Sequence, residues 1–313
     1  GSHLCEMLVK KGYKVIGFDL YNSTNDWGWL EQSEVRDDVE VILGDIRDYD
    51  SVNRAVSKCD DIFHLAALIG IPYSYVSPLA YIKTNIEGTY NVLESARNYC
   101  IDQVLITSTS EVYGSAQTVP INENHPIVGQ SPYAASKISA DQLAESYYRS
   151  FNLRVKIVRP FNTYGPRQST RAIIPTIISQ LCADTGEIVL GNVNPTRDLT
   201  YVTDTCSAMY EILQSREFYG DVVNIGMNKE ISIGDLAVKI GQLMNRKVQL
   251  TEDNIRKRPP GSEVDRLVCD NYKLMNLTSW TPMDTLETGL NKTINWFASQ
   301  VSHSDKKGIT YQV

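Results

Sequence analysis

Four short apolar runs, residues 13–19, 39–44, 61–65 and 103–108, are separated by stretches with helical hydrophobic spacing. Strands so short and so continuously apolar must lose both faces to the interior. The alternation therefore predicts an α/β fold, a doubly wound parallel sheet with helices on both sides. Ligands of such sheets bind at the carboxyl ends of the strands, so the polar residues following each run become the candidates for chemistry.

Beyond about residue 165 the alternation loosens, and Pro166, Pro175, Pro195, Pro259 and Pro260 interrupt mixed helical and extended segments. This pattern predicts a first domain over 1–165 and a smaller one mainly over 166–313. Residues 221–226 read as a buried strand returning to the sheet, so the two are expected to interleave. The polar residues 302–313 are expected to fray.

A dinucleotide fold opens with a strand and a glycine-rich turn, yet here Gly1 is followed at once by a helical pattern. With Gly12 and the run 13–19, the spacing fits Gly1 as the last glycine of a G-x-x-G-x-x-G turn, which would place a strand and two glycines ahead of it. A cloning remnant at Gly1-Ser2-His3 is the alternative.

The 313 residues, 42% of them hydrophobic, suffice for a full core. A net charge of -7 argues against a nucleic-acid partner, since neutralising phosphates needs a basic surface. Six cysteines without close pairs or metal-type spacing suggest neither a disulfide framework nor a metal site, and fit a reducing cytoplasm. No apolar run reaches the ~18 residues of a membrane span.

Asp19 closes a strand eighteen residues after Gly1, where a carboxylate would accept from both ribose hydroxyls of NAD and repel the 2′-phosphate of NADP. A turn-capping aspartate is the alternative. Asp45 and Ile46 follow the next run and are placed to meet the adenine. Leu65, Ala66 and Ala67 end a further strand, where small side chains would let a cofactor lie against the backbone.

Tyr133 and Lys137, one helical turn apart, share a face. An ammonium beside a phenol would lower its pKa and make it a general base. With 18 tyrosines in the chain the spacing alone is weak evidence. The run Thr107-Ser108-Thr109-Ser110-Glu111 ends a strand and offers hydroxyls nearby; turn chemistry of three consecutive hydroxyl residues is the alternative. On an extended segment Thr109 and Glu111 would face the same way.

These residues, with Thr84-Asn85, the run from Arg159 through Asn162 to Arg167, and Arg197-Asp198, occur in the order of the extended short-chain dehydrogenase/reductases, which the chain resembles from Gly1 to about Phe297. The resemblance implies a Rossmann domain holding NAD, a smaller domain holding a nucleotide sugar, and a homodimer packed through two helices per subunit. It also implies roles: Asn85 with the cofactor-binding group, Thr109 on the sugar O4, Tyr133 exchanging its proton, and Lys137 holding the tyrosine and the nicotinamide ribose. Asn162, Arg197 and Arg258 would contact the substrate, the two arginines at its diphosphate. A solvated loop charge is the alternative for Arg258.

Thr-Ser-Glu is similar to the triplet of GDP-mannose 4,6-dehydratases, whereas dTDP-glucose 4,6-dehydratases carry Asp-Glu. Glu111 is thus the candidate base at C5, the step that separates a dehydratase from a 4-epimerase; a glutamate paired with a surface lysine is the alternative. The segments 21–30, with Trp27 and Trp29, and 71–75 look similar to the dehydratases that open the legionaminic acid pathway, implying UDP- or GDP-N-acetylglucosamine as substrate. A hydrophobic plug is the alternative for the tryptophans. A 4-epimerase and a non-catalytic dinucleotide sensor remain the other functional readings.

Overall fold

The computed structural model describes residues 1–183 and 187–301; the expected fraying of 302–313 lies outside them. Helix α1 (Ser2–Lys10) leads into strand β1 (Val15–Leu20), which pairs in parallel with β2 (Val39–Gly44). Helix α2 (Tyr49–Val56) then leads to β3 (Asp61–His64). Two short helices, α3 (Ile71–Val76) and α4 (Pro78–Tyr81), run through a wider π turn into α5 (Gly88–Asn98). Strand β4 (Gln103–Thr107), helix α6 (Pro132–Phe151) and β5 (Val155–Pro160) follow.

Strands β3, β4 and β5 pair in parallel, as expected for the doubly wound arrangement. Alternate side chains of β4 go to opposite faces. Val104 and Ile106 pack with Val92, Leu93 and Ala144 from α5 and α6, while Leu105 packs with Leu4 of α1. Strands β1 to β5 form two parallel groups, because β1 and β2 make no ladder with β3. Helix α1 touches both: Leu4 lies with Leu105 and Val158, whereas Cys5, Leu8 and Val9 lie against Val15 and Val39.

The run predicted over 13–19 begins later, at Val15, because Tyr13 turns outward to place its hydroxyl 3.3 Å from that of Tyr210. The runs predicted over 61–65 and 103–108 each end one residue early.

After β5 come β6 (Asn162–Tyr164), α7 (Ile173–Cys182), β7 (Ile188–Leu190), β8 (Thr196–Tyr201), α8 (Val202–Gln214) and β9 (Asp221–Ile225). Strand β9 pairs in parallel with β5, and α8 covers the sheet face that α1 shares. Then β10 (Glu230–Ser232), α9 (Ile233–Leu243), β11 (Leu250–Glu252), β12 (Arg266–Leu267), α10 (Tyr272–Leu277) and α11 (Leu286–Val301) complete the path. A second core forms where Ile174, Ile177 and Ile178 of α7 meet Leu236 and Ile240 of α9 and Leu290 of α11.

Asp198 of β8 is fully buried and fastens two other backbone segments, the loop after β9 and the chain at Cys269. Its carboxylate accepts from the N–H groups of Met227, Lys229 and Cys269 at 2.8, 3.4 and 3.1 Å. Burial still lifts its pKa to about 6, outweighing those donors.

Gly220 sets the entry to β9. Its φ of +71° is left-handed, and a Cβ there would lie 2.0 Å from Cδ1 of Tyr148. Gly220→Ala is expected to destabilise the fold by roughly 2 kcal/mol or more, read as a lower urea midpoint with unchanged slope.

Candidate active site

Helix α6 begins as its sequence dictates. The Ser131 side chain accepts from the Ala134 N–H at 3.1 Å, and Pro132 occupies the first turn, where its missing donor costs nothing. Tyr133, Lys137 and Asp141 then fall on one face at successive turns, and all three are buried. On the turn after β4, the Thr109 hydroxyl accepts from the Glu111 N–H at 3.2 Å and winds residues Ser110–Tyr113 into a 3-10 turn. The extended segment expected here is thus replaced by a turn, because the threonine caps it. Thr109 and Glu111 still share the site: Tyr133 hydrogen-bonds Thr109, and Glu111 is close enough to act on its charge.

The expected lowering of the Tyr133 pKa is not what the protein alone achieves. Burial raises it above the ordinary tyrosine value, Thr109 opposes that rise, and Glu111 adds to it. Lys137 is itself pulled down to about 8 by burial, with the Asp141 carboxylate opposing. Its ammonium makes no hydrogen bond within the described protein. His64 is buried, and its pKa is lowered to about 3, first through burial and then through the Lys137 charge, so the ring is neutral; its Nε2 lies 3.0 Å from the Thr89 hydroxyl.

The residues assigned to a cofactor line the carboxyl ends of β1, β2 and β3. Gly1 caps α1, accepting from the Cys5 N–H at 3.0 Å. Asp19 is exposed, with Oδ1 accepting from the Leu20 N–H at 2.8 Å. Asp45 grips Arg47, whose Nε lies 2.9 Å from Oδ1, and this pair lowers its pKa. Ile46 accepts from Asn91 at 2.9 Å and lies under Gly88, where a Cβ would come within 2.9 Å of its Cγ1. Leu65, Ala66 and Ala67 are half-buried. Asn85 acts as a brace: its Oδ1 accepts from the Leu68 N–H at 2.9 Å, and its Nδ2 donates to the Leu68 carbonyl at 3.0 Å and the Ser136 hydroxyl at 2.9 Å. An exposed acidic strand end, a small-residue wall and an unpartnered buried ammonium suit a dinucleotide with free ribose hydroxyls.

On the opposite side, Asn162 directs a buried Oδ1 that has no protein partner. Arg197 donates to the Thr196 carbonyl at 2.8 Å and lies 3.7 Å from Glu263, while Arg258 lies 3.6 Å from Glu111. Arg258 thus joins the site rather than standing as a solvated charge. Tyr81 packs edge-on against Tyr133 at 6.2 Å, and Tyr73 stands next to Tyr81. Tyr75 reaches Ser262 at 2.5 Å.

Sequence reasoning passed over Tyr81, Asp141 and Glu263, and gave Arg159 no role beyond its place in a motif. Only Asp141 carried a signal, its spacing from Lys137. Trp29, itself exposed, stacks edge-on against Trp296 at 5.1 Å, and Trp27 packs with the cluster around Val15. Two polar clefts, beside Asp221 and beside Asp61, lie at the amino ends of strands, away from these residues. Among the described residues no group of side chains could hold a metal ion, and no helix is long and apolar enough to cross a membrane.

Comparison with known proteins agrees with this arrangement. The model of the GDP-mannose 4,6 dehydratase family matches residues 1–293. A putative UDP-glucose 4-epimerase of Methanocaldococcus jannaschii is 30% identical over 301 residues, 95% of this chain and 94% of that protein. The dTDP-glucose 4,6-dehydratase of Streptomyces venezuelae, solved with NAD, superposes with a TM-score of 0.87 at 26% identity, over 97% of this chain and 95% of that one. The UDP-glucuronic acid 4-epimerase of Bacillus cereus, solved with UDP-glucuronic acid and NAD, gives 0.86 at 27% identity, covering 96% of each. With its Rossmann-type sheet and the Thr109, Tyr133 and Lys137 constellation, the chain belongs to the GDP-mannose 4,6 dehydratase family, among the extended short-chain dehydrogenase/reductases that act as nucleotide-sugar dehydratases and epimerases.

Proposed function

We propose that the protein is an NAD-dependent nucleotide-sugar 4,6-dehydratase that converts UDP- or GDP-N-acetylglucosamine to its 4-keto-6-deoxy product for surface-glycan synthesis. The observation that carries this reading is Glu111, a carboxylate in the same pocket as Tyr133 and Thr109, where its charge acts on the phenol. A 4-epimerase needs no base at C5. The presence of epimerases among the relatives keeps that activity as the second reading. The working unit is a homodimer in the cytoplasm, packed through two helices per subunit.

Asp19, Asp45, Ile46, the Leu65–Ala67 strand end and Lys137 would hold NAD, which when bound supplies the acceptor of the C4 hydride and the donor to C6. Tyr133 takes the O4 proton while Thr109 holds that oxygen. Burial makes the phenol a reluctant base, and the Thr109 hydroxyl is the group that opposes that rise. Once C4 is a ketone the C5 hydrogen becomes acidic, and Glu111 removes it as the C6 hydroxyl leaves. Ser110 stands where an aspartate would serve as acid, so in this reading Glu111 returns the captured C5 proton to the departing hydroxyl, and C5 takes up a proton from solvent as hydride reaches C6. Asn162 contacts the substrate near its phosphates, and Arg197 and Arg258 hold the diphosphate.

The decisive test is Glu111→Gln, which keeps size and loses basicity. With either N-acetylglucosamine nucleotide, water loss and solvent-deuterium entry at C5 should fall by about 10²-fold or more, while the absorbance of reduced nicotinamide builds up. Normal water loss, or a wild-type product of unchanged mass, would reject the dehydratase.

Tyr133→Phe removes the proton acceptor and keeps the ring. Turnover is expected to fall about 10²-fold or more, with substrate affinity held within a few-fold by calorimetry.

Lys137 acts as an ammonium, and its lowered pKa sets an alkaline limit. The pH profile of kcat/KM should decline as pH rises through about 8, where that proton is lost. A profile flat to much higher pH would assign the cation to another group.

A further inference from the structure

The four side chains assigned to the chemistry come from two separate pieces of chain. Helix α6 carries Tyr133 and Lys137, and the turn after β4 carries Thr109 and Glu111. A third element joins them. Arg159 on β5 is 1% exposed, and its Nε and Nη2 donate to Asp141 Oδ2 at 3.1 and 2.9 Å. Its Nη1 donates to the Tyr113 hydroxyl at 3.1 Å. Asp141 follows Lys137 by one turn of α6, and Tyr113 is the last residue of the turn that Thr109 caps.

The Tyr113 hydroxyl is fully committed. It accepts from Arg159 and donates its proton to Asn224 Oδ1 on β9 at 2.7 Å, while Asn224 Nδ2 donates to the Ile121 carbonyl at 3.1 Å. The ring is pinned edge-on against His125 at 5.6 Å. Stability does not explain such a network, since a buried ion pair is often replaced by apolar side chains at no net cost. Its distinguishing property is geometric. A guanidinium presents donors along two edges of one rigid plane, so its two partners are held at a fixed separation and angle, which a single ammonium cannot do.

We propose that Arg159 is a positioning residue, a clamp between Asp141 and Tyr113 that sets the distance from the Tyr133 and Lys137 pair to the Thr109 and Glu111 pair. The proposal rests on the roles given to those four residues above. A shift of about 1 Å between reacting groups costs as much as about 10²-fold in rate, so the clamp acts on turnover and leaves binding of the nucleotide sugar alone.

The test is a double-mutant cycle between Tyr113→Phe, which deletes only the clamped hydroxyl, and Tyr133→Phe, with Arg159→Lys measured alongside. Tyr113→Phe should lower kcat about 10-fold or more with KM within twofold. In the Tyr133→Phe background the same change should cost less than threefold, because there is no base left to place. Arg159→Lys, which keeps the charge for Asp141 and cannot span both partners, should fail to restore turnover. Fraction folded at the assay temperature is followed by circular dichroism. Should Arg159→Lys fail to fold, the Tyr113 cycle decides alone. Equal losses in both backgrounds would show a merely structural role and overturn the clamp, as would wild-type kcat in Tyr113→Phe or in a folded Arg159→Lys. The cycle reads the clamp for water loss and epimerisation alike, since Tyr133 serves both, so the identity of the wild-type product tests the function separately.

Discussion

Everything in this molecule is arranged around the burial of β4 and β5 on both faces. A strand flanked by two helical layers has no solvated side, so a polar side chain in its middle must find its partners within the protein. Lys156 shows the rule: it is fully buried, and its Nζ gives hydrogen bonds to the carbonyls of Ile212, Leu213 and Ser215 and to Gln103. Arg159 shows it again near the other end of the same strand. Chemistry that must stay open to a ligand is thereby pushed past the carboxyl ends, where the turn after β4 and the start of α6 meet.

The same constraint explains what could be read in advance. The run over 39–44 matches β2, and the spacing of Tyr133 and Lys137 predicts the exposed-to-buried rotation of α6, because local periodicity records which face is covered. The bend at Ser110–Tyr113 is the turn that hydroxyl residues at a strand end allow, but its exact place depends on one side-chain cap, that of Thr109. The rise in the Tyr133 pKa was hidden, because it depends on burial by distant segments such as Tyr81. The pairs Glu111 with Arg258 and Arg197 with Glu263 join residues far apart in sequence, and nothing in local spacing announces them.

Those two pairs bear on how an acidic protein receives an anion. With a net charge of -7 the chain offers little long-range attraction to a nucleotide sugar, so recognition falls to particular cations. Both arginines wait beside carboxylates, and in Arg197 burial lowers the pKa while Glu111 and Glu263 work against that effect. Such pairing keeps the guanidinium groups charged and oriented before any ligand arrives.

The return of β9 to the edge of β5 also governs the order in which the molecule can be built. During synthesis the chain emerges from its amino end, yet β5 lacks its outer neighbour until Asp221–Ile225 has left the ribosome, and Trp29 lacks its stacking partner until Trp296 has done so. Contacts of such wide sequence separation are entropically slow to close. From the emergence of Pro160 until that of Ile225 the nascent protein therefore carries an apolar sheet edge at β5, the kind of surface that chaperones recognise.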